Sequence, residues 1–231
     1  MILIDNDEPR GLLTDFSSLQ GPSFRLEGIR PEVAKFYEQT SQFDLDVWSE
    51  WHRGFRPFGG ALMAIFSRRL EQLNMPLSGI ETSEGVRSRV LHLVDSTGAI
   101  RHTAWVRSVI STGRTLYAGS YSLASVPGHP SPCVKVVFPL PNGNATVVMK
   151  PAVLSDGSFT LESSGEAFGD PGFYFLVESD NGRTSVRYVR AMRELIRVYV
   201  DERDELRADH DLRLFGAVFL RLRYRMRRRA G

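Results

Sequence analysis

The chain carries five histidines, His52, His92, His102, His129 and His210, and one cysteine, Cys133. None of the histidines forms an HExxH or a close pair, so a standard zinc-hydrolase site has no support. A single thiol excludes an internal disulfide and a multi-thiolate metal site within one chain. Cys133 follows His129 by four residues in HPSPCVKV. A Cys–His nucleophile needs contact within about 3.5 Å and a third group to orient the base. Two prolines intervene here, and a free cysteine is usually a small buried apolar group. There is no GxGxxG, Walker loop, GxSxG or calcium-loop pattern. No cofactor and no metal is therefore expected.

Position within the alternation of apolar and polar residues says more about the histidines. His92 shares a phase with Val90 and Val94, and His102 with Ile100 and Ala104. His210 is in phase with Leu206, Ala208, Leu212 and Leu214. On half-buried strands this phase turns a side chain inward. The three then become polar points in an apolar cavity; the plainer alternative is a satisfied core or rim histidine. Trp105 and Tyr174 join them as ligand-binding candidates, because rings with a polar handle suit such pockets. Tyr174 follows the glycine-rich loop GEAFGDPG, which permits close approach of a ligand or forms a tight rim turn. The acids Asp44, Asp46, Glu50, Asp170, Asp201 and Glu205 show no spacing that separates a catalytic pair from ordinary surface.

The formal charge of +2 is small, but it is unevenly spread. The stretch FLRLRYRMRRRAG places Arg223, Arg225, Arg227, Arg228 and Arg229 together with no acid. Such a stretch can attract an anionic membrane surface or nucleic acid. The plainer reading, and the preferred one, is a solvated strand face with a loose basic tail.

The elements that position these groups are mostly strands. PEVAKFYEQT predicts a helix near 31–40, with Pro31 in the first turn and Val33, Phe36 and Tyr37 on one face. FGGALMAIFSRRLEQLNMP predicts a second over 58–74. FDLDVWSEW alternates as a strand, and from Val86 onward short extended segments are joined by turns such as Ser96-Thr97-Gly98, Asn142-Gly143 and Asp156-Gly157. AMRELIRVYV is ambiguous between helix and strand. The count reaches about nine to ten strands, with joins too short for crossover helices. The expected fold is α+β and predominantly antiparallel β: a strongly curved sheet or closed barrel with two N-terminal helices. Residues 1–29 read as an N-terminal arm, and 30–231 as a single domain. With an apolar fraction of 42% and no basic leader or long apolar run, the chain is expected to be cytoplasmic.

The preferred function is noncatalytic binding of a lipid-like or other mainly apolar small molecule in an internal β-sheet cavity. One alternative is an enzyme using a histidine–carboxylate pocket on the same scaffold. Another is a membrane-surface or nucleic-acid interaction through the arginine strand and tail. The oligomeric state is not legible from the sequence.

Overall fold

The computed structural model describes residues 2–4, 8–52, 86–113, 115–140, 142–179 and 181–229. Its strands are β1 (Ile2–Ile4), β2 (Phe43–Trp51), β3 (Val86–Val94), β4 (Ile100–Val109), β5 (Thr115–Val126), β6 (His129–Leu140), β7 (Gly143–Val153), β8 (Phe159–Glu162), β9 (Phe173–Glu178), β10 (Thr184–Tyr188), β11 (Met192–Val200), β12 (Leu206–Leu214) and β13 (Ala217–Arg228). All named pairings are antiparallel. From β2 to β7 each strand pairs with the next. β7 then pairs with β8, β8 with β11, β11 with β12, β12 with β13, and β13 returns to β2. Ten strands thus close on themselves, which leaves no free edge around the ring. β9 and β10 form a hairpin added to the Gly143–Val147 end of β7, and β1 pairs with β3.

The closed barrel decides between the two architectures left open by the sequence. The expectation of two N-terminal helices is not met as stated. One α-helix, α1 (Pro31–Glu38), occurs among the described residues, together with short 3-10 turns at Phe16–Leu19 and Thr40–Gln42. The helix expected at 58–74 lies outside the described residues. The ambiguous segment at 191–200 is strand, because Met192–Val200 pairs with β12 on one side and β8 on the other. Pairing on both sides overrides the helix propensity of Ala191, Met192, Glu194 and Leu195.

One end of the barrel is filled. α1 turns Val33, Phe36 and Tyr37 inward, and the preceding segment adds Leu12, Leu13, Phe16, Leu19 and Phe24, all buried. Phe159 of β8 meets the rings of Phe16, Phe24 and Tyr37 edge-on, with centroids 5.0–5.8 Å apart. This packing is tied by polar contacts. The Leu13 N–H donates to the Tyr37 carbonyl at 3.1 Å, the Phe16 N–H to Glu38 Oε1 at 2.9 Å, and the Ser23 N–H to Ser131 Oγ at 2.9 Å. Gly11 passes so close to α1 that an added Cβ would lie 2.0 Å from the Tyr37 carbonyl oxygen. No larger residue fits there without moving the backbone.

Candidate functional site: a hollow barrel with a buried arginine

Beyond the filled end the barrel encloses a cavity of about 400 Å³. Inward residues of alternating strands build its wall. They include Val47, Val136, Phe138, Val147, Ile196 and Leu222. The lining is overwhelmingly apolar, and its polar groups are few, among them Arg107, Tyr37, Tyr117, Tyr121, Tyr224, Glu194 and His210.

Arg107 comes from β4, and the surface it keeps is turned to the cavity. Its guanidinium carbon lies 3.9 Å from the centroid of the Tyr117 ring, 4.6 Å from that of Trp105 and 5.7 Å from that of Tyr224. Nη1 donates one long hydrogen bond, 3.4 Å, to the Tyr224 hydroxyl across the lumen. Nε is buried without a hydrogen-bond partner. Burial opposes the charge, but the phenols of Tyr224, Tyr117 and Tyr121 outweigh it and the pKa moves up. The group is a permanent cation.

The two tyrosines of β5 are positioned by a glycine between them. Gly119 sits opposite Trp105 in the register, and a Cβ there would lie 2.7 Å from the Tyr117 hydroxyl. Its missing side chain lets the Tyr117 ring fold along the strand until its hydroxyl meets that of Tyr121 at 2.6 Å. Burial pushes both phenols well above their ordinary pKa, so both keep their protons. One proton serves the bond between them. The other has no acceptor among the described residues.

Glu194 of β11 and His210 of β12 form the second polar point, with His210 Nε2 2.6 Å from Glu194 Oε1. The carboxylate sits off the axis of the ring N–H, so the imidazole has a close charged neighbour without an aligned hydrogen bond.

The structure separates the residues singled out from sequence. His210 and Trp105 line the cavity; His92, His102 and Tyr174 do not. His92 faces inward opposite Thr103 but beside the N-terminal segment, hydrogen-bonded to the Gly11 backbone, with Nε2 buried and unpartnered. Burial lowers its pKa. His102 pairs with Leu93 and lies on the outer face, because Thr103, Trp105 and Arg107 are the inward set of β4. His92 and His102 are therefore not neighbours on one face. Tyr174 pins the glycine-rich loop from outside the lumen. Its hydroxyl donates to the Asp170 carbonyl at 2.5 Å and accepts from the Gly169 N–H at 3.0 Å. Cys133 Sγ does reach His129 Nδ1, at 3.5 Å, but that nitrogen is only 2.8 Å from the Ser131 carbonyl. Burial pushes the thiol up to about 11, which keeps it a poor nucleophile.

The arginines of β13, with Arg229 just after it, form an outer ladder. Arg223 meets Asp209 and Asp211, Arg225 and Arg227 share Asp46, and Arg229 meets Asp44. Arg225 also approaches Glu205 at 3.7 Å. Arg228 is exposed and borders a shallow charged groove with Glu32, Lys35 and Asp204. The acids absent from the C-terminal sequence are supplied by the neighbouring strands β2 and β12.

Arg107, Glu194 and the tyrosine pair were not legible as a site. The Tyr-x-Gly-x-Tyr spacing of 117–121 was the available signal, since i and i+4 share a strand face. No family model and no solved structure matches the chain. It is similar to the Uncharacterized membrane protein YndJ of Bacillus subtilis (strain 168), with 25% identity over 226 residues. The alignment covers 95% of this chain and 38% of that protein, so the chain spans well under half of its relative's length. Among the described residues no helix is long and apolar enough to cross a membrane.

Proposed function

We propose that the barrel binds a mainly apolar small molecule in its lumen. The observation that carries this is the closed wall around a cavity of about 400 Å³ lined almost wholly by apolar side chains. Small-molecule sites fall at roughly 300–1,000 Å³ and combine such a lining with a few convergent polar groups. The wall is apolar inside and charged along β13 outside, the reverse of a barrel whose outer face meets lipid. The name of the relative supports a bilayer as the neighbouring source of ligand. In that arrangement the barrel is a water-facing compartment beside a membrane, and its cytoplasmic placement is part of the proposal.

The test is native mass spectrometry of gently purified protein, repeated after denaturation and repeated on Ala145→Phe, which fills the lumen. A noncovalent small molecule that is released on denaturation and reduced in the variant supports the reading. A bound mass indifferent to the filled lumen, or failure of every apolar probe to bind, overturns it.

The His210–Glu194 contact favours a second reading, acid–base catalysis on the bound molecule. Imidazole beside a carboxylate is the pair such chemistry uses. Incubating the released molecule with wild type and His210→Gln distinguishes the two. Conversion by wild type alone makes the barrel an enzyme, and unchanged ligand in both leaves a carrier.

A further inference from the structure

The hydrogen-bonding inventory of the lumen is unbalanced toward donors. A guanidinium has five N–H donors and no acceptor. Arg107 places one of them on Tyr224 and leaves Nε without a partner. The Tyr224 hydroxyl accepts that bond, so its own proton is still to be placed. Of the two protons on Tyr117 and Tyr121, only one is used between them. On the acceptor side stands the Glu194 carboxylate, which lies against His210 at 2.6 Å without an aligned hydrogen bond. No carboxylate of the described residues lies within 4.0 Å of Arg107, although the outer arginines Arg223, Arg225, Arg227 and Arg229 all have one.

A cation in an apolar lumen with no carboxylate of the described residues in contact is expensive. Removing the partner of a buried charge is strongly destabilising, because the remaining charge stays uncompensated. Stacking on Tyr117 and Trp105 offsets part of this, but ring faces do not satisfy N–H donors.

We propose that the lumen takes an anionic amphiphile. Its head accepts from Arg107 and from the spare phenolic protons of the Tyr117–Tyr121 pair and Tyr224. Its apolar body lies against Val136, Val147, Ile196 and Leu222. This rests on the apolar-ligand reading and adds the chemistry of the head. Carboxylate and phosphate heads share that chemistry.

The experiment titrates the full chain with four probes of one chain length below their micellar concentrations: dodecanoate, dodecyl phosphate, dodecanol and dodecylamine. Dodecanoate or dodecyl phosphate is expected to bind at least about tenfold tighter than dodecanol, the scale of one charge-assisted hydrogen bond. Whichever anion is tighter identifies the source of the head. Arg107→Met should bring the anions to within about threefold of dodecanol while dodecanol still binds, since a methionine in an apolar lumen keeps the wall intact. Arg107→Lys should recover part of the preference.

Equal binding of dodecanol and the anions in wild type overturns the anionic head and leaves the apolar cavity standing. So does preference for dodecylamine, or an anion preference that survives in Arg107→Met. Failure of all four probes overturns both.

Discussion

The same residue type stands on the two faces of one wall and meets opposite circumstances. Outside, Arg225 and Arg227 converge on Asp46, with Arg225 Nε and Nη2 at 2.9 and 2.7 Å and Arg227 Nη2 at 2.7 Å. Inside, Arg107 has ring faces, one long hydrogen bond and, among the described residues, no carboxylate within 4.0 Å. The outer arginines are partly solvated, with 35% and 52% of the side chains of Arg225 and Arg227 exposed. Screened by solvent, their pairs are worth little singly. The inner one has no such latitude. What a barrel tolerates on its outside as decoration, it can hold on its inside only with a reason.

Three substitutions or titrations probe that contrast. The largest effect is expected inside, from Gly119→Ala. The new Cβ collides with the Tyr117 hydroxyl, a small-to-large change in packed surroundings that costs about 1–3 kcal/mol. Chemical denaturation should show the lowered midpoint. The Tyr117–Tyr121 contact should open, altering tyrosine fluorescence and any ligand affinity together. If binding is unchanged at lowered stability, the phenol pair has no role in the site.

Asp46→Asn should be milder. It removes the shared counter-charge of two arginines, which are themselves partly solvated and keep water as an alternative partner. Because the change is on the outer face, occupancy of the lumen should not move. A Tm drop with altered binding would show that the two faces are coupled.

The smallest effect is a pH dependence. Burial depresses the folded-state pKa of His92 below its ordinary value of 6.5. The folded state therefore prefers neutral His92, and the unfolded chain takes up a proton first. The stability from this group is fully present above pH 6.5 and is lost as pH falls below it toward the depressed folded value. A His92→Leu variant should show a shallower loss of Tm between pH 7 and 5 than wild type. An unchanged slope would place the acid sensitivity elsewhere.

Much of the architecture was legible because alternation and turn chemistry agreed. Leu220, Leu222, Tyr224 and Met226 point inward and the intervening arginines outward, as the period-two pattern of β13 requires. The Asn142-Gly143 join carries a hairpin, and α1 begins at Pro31. The site was harder to read because β4 inverts the usual pattern. Its inward set contains Thr103 and Arg107, while Ala104 and Val106 occupy the outer phase. Apolar residues on the wrong face made His102 look inward. Trp105 and His102 have opposite parity, so they cannot share a face without a bulge between them, and the one in this hairpin falls at Leu93/Val94. Glu194 was hidden by the helical propensity around it, and its pairing with His210 depends on the register of β11 against β12.

The closure of β13 on β2 also bears on how the chain is made. Residues such as Met226 and Leu45 are neighbours in space but lie far apart in sequence. Every strand between them must be synthesised before the ring can shut, a topology that folds slowly because loop closure precedes the contacts that reward it. Until then the apolar inner faces stand open beside the ribosome. When β13 arrives, a slip by one residue would drive its arginines into the lumen. Asp44 and Asp46 stand on the outer face of β2, where they accept those arginines and would lose them in a one-residue slip. The outer ladder, modest as a source of stability, is thus a reading frame for the final strand, and the hollow exists only after that frame has been matched.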